Sequence, residues 1–481
     1  MQVLETLAAR GIHAARLVAD SRRVQRGDVF VAFPGAHADG RDFIAQAVAR
    51  GAKAVIAEAG AKARVGADET PLVEVAGLAE MSGEIAHLVY GRPSERLWLA
   101  GVTGTNGKTS VSQWIAQAID APGRRCAVVG TLGNGFVDAL AESPNTTPDA
   151  ITLHASLAGF LERGAQACAM EVSSIGLDQG RVNGAAFDVA VLTNLTRDHL
   201  EYHGSMEAYA AAKERLFALP GLGTAVINLD DAFGLGLARR LQGRLPLLGY
   251  ALGPVHQVGD ELLRAENLRM GAAGIEFELH GTTVSASVVG RFNVANLLAV
   301  AGALLAKGER LADIAEALRR IRPPPGRMQA LGGMDQPLLV IDYAHTPDAL
   351  EKALGVLRET ATARGGRLIC VFGCGGDRDP GKRPQMGEAA ERLADVVVVT
   401  SDNPRSEDPQ AIAAAIVAGM RRPPRLQLDR AAAVREVVSS ADRRDVILLA
   451  GKGHEPYQEI AGLRHPYSDL AAAESALEAR R

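Results

Sequence analysis

The segment that most constrains this chain is Gly101-Val102-Thr103-Gly104-Thr105-Asn106-Gly107-Lys108-Thr109, directly after the apolar run Leu97-Trp98-Leu99-Ala100. It demands a buried strand, a glycine turn and a helix, in that order. The glycines let backbone N–H groups close around an anion, and the following helix points its positive end at it. Lys108 is expected to reach terminal phosphates, and Thr109 to offer its hydroxyl to Mg²⁺. A strict G-x-x-x-x-G-K-[ST] pattern would place glycine at Val102; the loop is instead a Gly-Thr-Asn-Gly-Lys-Thr variant. Gly104, Thr105, Asn106, Gly107, Lys108, Thr109 and Ser110 form the expected nucleotide cradle.

With 481 residues the chain exceeds one ordinary core, so two or three domains are expected. A hydrophobic fraction of 47% excludes a disordered chain. The net charge of −4 argues against a nucleic-acid or membrane-surface binder, so anionic ligands must meet local arginines and lysines. Four cysteines, Cys126, Cys168, Cys370 and Cys374, have neither the spacing nor the histidines of a zinc site. They read as reduced thiols of a cytoplasmic protein. No basic-then-apolar leader and no membrane-length apolar run is present in the sequence.

The apolar pattern divides into three α/β parts. Residues 1–92 hold the strand 28–32, a helix near 42–50 and the strand 54–57. Residues 93–325 alternate short apolar runs with helical stretches, which predicts a central parallel sheet of the P-loop ATPase kind. Arg322-Pro323-Pro324-Pro325-Gly326-Arg327 reads as a stiff hinge. Residues 326–481 restart the pattern as a Rossmann-like domain. Ligands of open α/β sheets sit at the carboxyl ends of the strands, which here would gather Lys108, Thr109, Glu171 and Asn194.

Residue spacing leaves bland alternatives open for several positions. Lys213, in Ala211-Ala212-Lys213-Glu214-Arg215, reads as a helix-surface lysine. Glu171 could cap a helix, Asn293, Asn296 and Asp342 could form turns and caps, and Arg405 could be a surface arginine behind a turn proline.

Taken in order, Asp20-Ser21-Arg22, the phosphate loop, Asn145-Thr146-Thr147-Pro148, Met170-Glu171-Val172-Ser173-Ser174 and Asp198-His199-Leu200-Glu201-Tyr202-His203 resemble the Mur ligases. These are the ATP-dependent amino-acid-adding enzymes of peptidoglycan synthesis. The resemblance continues through Ala212-Lys213, Asn293, Asn296, Asp342-Tyr343-Ala344-His345-Thr346-Pro347, Asp402-Asn403-Pro404-Arg405 and Gly451-Lys452-Gly453-His454-Glu455. It implies that ATP converts a substrate carboxylate into an acyl phosphate, which an amine then attacks. Lys108, Glu171, His199, Lys213 and Arg327 would be catalytic, with Thr109, Glu171, His199 and a carbamylated Lys213 serving Mg²⁺. Asn293, Asn296 and Asp342 would surround adenine and ribose. Ala19, Ser21, Asn145, Thr146, Thr147, Ser173, Gln179 and Arg181 would hold a UDP-N-acetylmuramoyl-dipeptide.

The added amino acid is expected to be meso-diaminopimelate, whose distal carboxylate suits the guanidinium of Arg405, with Arg378 as a second cation. Asp402, Asn403, Pro404, Gly451 and Glu455 complete that site, Asp402 and Glu455 facing the distal ammonium. A lysine-adding ligase, a folylpolyglutamate synthetase and a non-catalytic nucleotide-binding regulator are the competing readings. Ile175 stands where the family continues with histidine, and isoleucine neither ligates metal nor moves a proton. His37, in Gly35-Ala36-His37-Ala38-Asp39-Gly40, has no dependable register with the family. A monomer, without nucleic-acid or membrane partners, is expected.

Overall fold

The structure is a computed structural model describing residues 2–35, 38–60, 70–121, 123–271, 274–333 and 335–480; His37 lies outside the described residues. Its three main sheets follow one another along the chain. The first has four parallel strands in the order Leu17–Val18, Val29–Ala32, Ala54–Glu58 and Leu72–Val75. Apolar side chains bury both of its faces, with Val29, Val31 and Ile56 on one side and Phe30, Val55 and Ala57 on the other.

The central sheet has nine strands. Seven are parallel, in the spatial order Glu261–Arg264, Leu247–Ala251, Thr224–Asn228, Val189–Leu192, Trp98–Thr103, Ala165–Glu171 and Arg125–Gly130. The strands Gly133–Phe136 and Ala139–Ala141 close one edge in antiparallel fashion. Parallel strands covered on both faces need near-continuous apolar sequence, which is why Val189-Ala190-Val191-Leu192 is entirely buried. The helices Lys108–Ile119 and Arg291–Ala306 cover one face. Leu153, Leu157, Leu216 and Leu237 line the other. A three-stranded antiparallel sheet, residues 266–286, packs on the helix Leu311–Arg320.

The third sheet is ordered Gln329–Gly332 (antiparallel), Leu338–Asp342, Val446–Ala450, Leu368–Phe372, Val396–Val399 and Arg425–Leu426. Asp469 opens the last helix and forms a fully buried pair with Arg430, Nη2 to Oδ2 2.7 Å, while the same Nη2 donates to Ala450 O at 2.9 Å. That guanidinium ties the C-terminal helix to the carboxyl end of a central strand. All four cysteines are buried and free. No described helix is long and apolar enough to cross a membrane.

One boundary differs from the sequence reading. The strand expected to stop at Ala100 runs on to Thr103, so Gly101 to Thr103 belong to the sheet and the turn begins at Gly104. Ladder pairing on both sides, Gly101 with Ala190 and with Met170, holds this stretch extended. The helix near 42–50 is a 3₁₀ turn, Gly40–Phe43, followed by the short helix Ile44–Ala49.

His154, on the helix Ala150–Glu162, is buried against His87 of the helix Leu78–Val89, ring centroids 5.1 Å apart. Its Nε2 donates to Asn183 O at 3.0 Å, and Nδ1 is buried without a partner. Burial, with His87 beside it, pushes its pKa down to about 4. A histidine whose folded pKa lies below its unfolded value stabilises fully above about pH 6.5 and loses that contribution as pH falls toward 4. Stability should therefore drop by about 2 kcal/mol between pH 7 and pH 5 through His154 alone. Urea unfolding at both pH values checks this; the His154→Gln variant should show a flatter pH slope, and an unchanged slope would refute the assignment.

Candidate active site

The phosphate loop hangs from the carboxyl end of the strand Trp98–Thr103 and is clamped from the neighbouring strand. Thr193 Oγ1 donates to Asn106 O at 2.6 Å, Asn194 Nδ2 donates to the same oxygen at 3.0 Å, and Asn194 Oδ1 accepts from Asn106 N at 3.0 Å. Gly104 has φ +144°, and a Cβ there would overlap Thr193 Oγ1. Gly107, at φ +89°, caps the helix Lys108–Ile119 with no side-chain acceptor. The positive helix end therefore faces the cavity, the arrangement that binds anions.

Two lysines meet beneath this loop. Lys108 Nζ donates to Gly104 O (2.8 Å) and Thr105 O (2.9 Å), and Lys213 Nζ donates to Gly104 O at 2.9 Å. Burial pushes the Lys108 pKa down against the pull of Glu171 and Asp198. Burial and the neighbouring Lys108 charge hold Lys213 well below the usual lysine range. Spacing alone made Lys213 a surface lysine; it is 1% exposed because the helix Met206–Glu214 turns it inward under the loop.

Glu171 ends the strand Ala165–Glu171, so it is not a helix cap. Its Oε1 accepts from Thr131 N at 2.8 Å, and its Oε2 from Thr109 Oγ1 at 2.9 Å. Thr109 Oγ1 in turn accepts from Arg327 Nη2 at 2.9 Å across the cleft. The Arg327 guanidinium lies over Tyr343, 4.6 Å from the ring centroid, and its Nε is buried without a partner. A guanidinium held against the phosphate loop through Nη2, with its Nε unpaired, suits an anionic ligand.

Asp198 faces two imidazoles and one ammonium group, from its own loop and from the third unit. His199 Nε2 is 3.5 Å away, His345 Nε2 3.6 Å and Lys382 Nζ 3.6 Å. Burial alone would raise its pKa, but His345, His199 and Lys382 together hold it well below the usual carboxylate range. His199 has φ +54° and opens the short helix Leu200–His203, which turns its ring toward Asp198 and Glu201.

The opposite wall comes from the third sheet. Lys452, fully buried, donates to Asn403 Oδ1 (3.0 Å) and Glu455 Oε2 (2.9 Å) and lies 3.6 Å from Asp402. Asn403 Nδ2 donates to Glu455 Oε2 at 2.8 Å. Arg405 is half-buried, with φ +52°; its Nη1 donates to Gly376 O at 2.8 Å, and its Nε is 3.5 Å from Glu459 Oε2. Residues 457–466 form a hairpin that braces it, through Arg405 N to Glu459 O and Ala461 N to Arg405 O.

One cavity of about 280 Å³ is lined by Thr105 to Ser110, Thr146, Glu171, Ser173, His199, Lys213, Arg327, Arg378, Asp402, Asn403, Arg405, Gly451 and Glu455. The phosphate loop and the Asp-Asn-Pro-Arg loop thus face one space. A second cavity of about 790 Å³ adjoins it beyond Asn106 and is lined by Asn194, Asn293, Asn296, Asp342, Tyr250 and Phe292. Asn194 therefore sits in the adjoining space and beneath the loop, not beside Glu171. Asn293 and Asn296 lie inside the helix Arg291–Ala306, and Asp342 ends a strand, so none is a turn former. Asp342 Oδ2 accepts from Met328 N at 2.8 Å, and burial raises its pKa.

Ala19 and Ser21 line a third cavity, about 1050 Å³, between the first sheet and the helix Ala150–Glu162. Ser21 Oγ donates to Gln46 Oε1 at 2.6 Å. Asn145, Thr147, Gln179, Arg181 and Pro404 line none of these three spaces. Thr147 and Arg181 act inside the wall instead: Thr147 Oγ1 bonds Ser173, and Arg181 Nη1 donates to Thr147 O. Ile175 lies in the short helix Ser174–Asp178, whose Ser174 Oγ is 3.0 Å from His203 Nε2.

Spacing gave no role to Asp198, Lys382, Tyr343 or Lys452. Asp198, Tyr343, His345 and Lys452 stand within the motifs, but only the fold shows that His345 and Lys382 meet Asp198 and that Lys452 meets Asp402 and Glu455.

Three family descriptions match along the chain: Mur ligase family, catalytic domain, over residues 13–90; Mur ligase middle domain over 102–304; and Mur ligase, glutamate ligase domain, over 326–453. A UDP-N-acetylmuramoyl-L-alanyl-D-glutamate–2,6-diaminopimelate ligase of Ectopseudomonas mendocina is 53% identical, covering 98% of this chain and 96% of its own. One of the same description from Pseudomonas aeruginosa is also 53% identical, with the same coverage. A solved ligase of that description superposes with TM-score 0.67 at 38% identity over 97% of this chain and 95% of its own. The Thermotoga maritima MurF ligase in complex with ADP shares the fold at TM-score 0.68 and 21% identity, with 98% of each chain covered.

Gly104→Ala should abolish ADP binding in isothermal titration, because the new methyl displaces Thr193 from the loop it clamps. A variant that melts like the parent and still binds ADP would contradict this account of the clamp.

Proposed function

We propose that this chain, which belongs to the Mur ligase family, is an ATP-dependent ligase that joins meso-2,6-diaminopimelate to UDP-N-acetylmuramoyl-L-alanyl-D-glutamate in peptidoglycan synthesis. The observation that carries the reading is the single cavity where Lys108, Glu171 and Arg327 face Arg378, Arg405, Asp402 and Glu455. We divide it into a UDP-binding domain 1–92, an ATP-binding domain 93–325 and an amino-acid-binding domain 326–481.

A carboxylate is a poor acyl donor, so the γ-phosphoryl group first passes to the D-glutamyl carboxylate, giving an acyl phosphate and ADP. The incoming amine attacks the acyl carbon, phosphate leaves, and the amide forms. In the first step two anions must approach each other. The loop N–H groups, Lys108 and Arg327 lower that repulsion, and positioning with charge stabilisation is the main catalytic contribution. Base and ribose are assigned to the cavity holding Asn293, Asn296 and Asp342. The UDP-linked dipeptide is assigned to the space lined by Ala19 and Ser21, its peptide running past Thr146 and Ser173.

Thr109 and Glu171, with oxygens 2.9 Å apart, suit a hard cation. Among the described residues no group of three or more His, Cys, Asp or Glu side chains converges as a metal site. A Mg²⁺ ion would therefore complete its shell with phosphate oxygens, as this ion commonly does. When bound, it neutralises phosphate charge; His199 is the candidate side chain for a second ion.

Lys213 is assigned a carbamate. Its buried amine, held below the usual lysine range, attacks the carbon of CO₂ and sheds a proton, giving an anion beside the cations of the loop. Nuclear magnetic resonance of enzyme equilibrated with ¹³CO₂ should show a carbamate signal that Lys213→Arg lacks; an active enzyme without that signal would remove the assignment. The reading extends to a monomeric cytoplasmic enzyme, and sedimentation would expose an oligomer.

Phosphate release should require the UDP-linked dipeptide and meso-diaminopimelate together, with L-lysine a poor replacement. Arg405→Ala should raise KM for diaminopimelate by about 100-fold, the scale of a lost charge-assisted contact. Equal turnover of the two amino acids, or ATP binding with no release under any combination, would overturn the assignment.

A further inference from the structure

The amino-acid side of the cavity is fastened to the phosphate side by a pair of crossed ion bridges. From the middle unit, consecutive residues Arg197 and Asp198 reach across the cleft. Arg197 Nε donates to Asp379 Oδ2 at 2.9 Å and Nη2 to Asp379 Oδ1 at 3.1 Å. Asp198 Oδ1 lies 3.6 Å from Lys382 Nζ. The two segments therefore present opposite charges to each other in alternating order.

Asp379 is buried at 5% exposure, and its one other hydrogen bond among the described residues is from Gly381 N to Oδ1 at 2.9 Å. Without Arg197 it would be a buried carboxylate lacking a countercharge, an expensive arrangement. A second feature shows how tightly the joint is made. A Cβ on Gly381 would sit 2.5 Å from Arg197 Nη2, so the guanidinium packs close against a residue with no side chain.

What the joint connects gives it meaning. Asp379 directly follows Arg378, which faces the cavity beside Arg405. The turn carrying both is fixed to the Arg405 loop: Gly376 N donates to Asn403 O, and Arg405 Nη1 to Gly376 O. Arg197 precedes Asp198 and His199, which line the phosphate end of the same cavity. The loop of 194–199 also carries Asn194 and Thr196, which hold Asn106 and Thr105 of the phosphate loop.

We propose that Arg197 and Asp379 are positioning residues whose ion pair couples amino-acid occupancy at Arg378 to assembly of the phosphate site, so that phosphoryl transfer proceeds with the acceptor amine in place. This rests on the amino-acid-binding reading of the cavity. Amino acid bound at Arg378 and Arg405 stabilises the 375–381 turn in the position that the ion pair already holds. The turn keeps Asp379 on Arg197, and the 194–199 loop is held with it. Neither residue of the pair lines the cavity, and Arg197 is 41% exposed, so its effect is moderate and salt-sensitive.

The test uses the full-length enzyme with ATP, the UDP-linked dipeptide and meso-diaminopimelate, following phosphate and peptide product separately. Wild-type turnover comes first, since its absence defeats the functional reading and leaves the variants without meaning for it. Asp379→Asn and Arg197→Gln should each raise KM for diaminopimelate by about tenfold. Each should also release more phosphate than product, while KM for ATP stays near the parent value. The double variant should be no worse than the weaker single, because either change already breaks the joint. Arg197→Lys, which keeps charge but loses the fork, should fall between and guards against a misfolded variant, with melting temperature as control. Additive losses in the double variant, or phosphate and product remaining one to one throughout, would overturn the coupling.

Discussion

Two buried lysine side chains donate to one backbone carbonyl, and much of the active cavity follows from that crowding. Lys108 and Lys213 both donate to Gly104 O from within the protein, where burial disfavours their charge. The nearby carboxylates are otherwise engaged: Glu171 with Thr109 and Thr131, Asp198 with His199, His345 and Lys382. Burial holds down the charge of Lys213, as its carbamate assignment requires, so the positive character at the loop comes from the helix end, Lys108 and Arg327. A polyanion meets that positive end without rearrangement of the protein, because Thr193 and Asn194 already clamp the loop.

The central sheet supplies this geometry because its parallel strands end at one edge. Thr103, Glu171 and Leu192 end neighbouring strands, so the loop, the carboxylate and the Thr193-Asn194 clamp occupy adjacent positions without any long excursion of chain. The third sheet repeats the device from the facing side, with Asp342, the turn after Phe372 and the segment after Ala450 at its carboxyl edge. Two sheets placed edge to edge give a reaction space whose walls belong to separate units. Water can then be excluded during the life of a reactive acyl phosphate.

Local chemistry was the part legible in the sequence. Apolar runs such as Leu368–Phe372 and Val446–Ala450 are strands at their expected bounds, and the glycine loop, Glu171 and the Asp402–Arg405 turn project from strand ends. The strand before the loop was longer than composition indicated, because ladder pairing with both neighbours outweighs the flexibility of Gly101. Residues whose meaning depends on distant partners were less legible. Lys213 looked exposed until the packing of its helix placed it under Gly104. Asp198, Lys382 and Lys452 acquire roles only because segments up to about two hundred residues apart meet. Gln179 and Arg181 were expected to hold substrate; Arg181 donates to the exposed Gln179 and to Thr147 O, contacts that spacing does not show.

The proline segment has a mechanical consequence. Its entry is bolted to the helix that begins at Lys108: Trp114 Nε1 and Gln117 Nε2 both donate to Arg322 O, and Arg322 N donates to Gln117 Oε1. Three prolines then keep the chain straight as far as Gly326, which has φ +66° and nests against Gly453 and His454. Rotational freedom is thereby concentrated at the far end of a short rigid boom, one residue before Arg327. Since the boom is rooted in the same helix as Thr109, few rotatable bonds separate that hydroxyl from the guanidinium that donates to it.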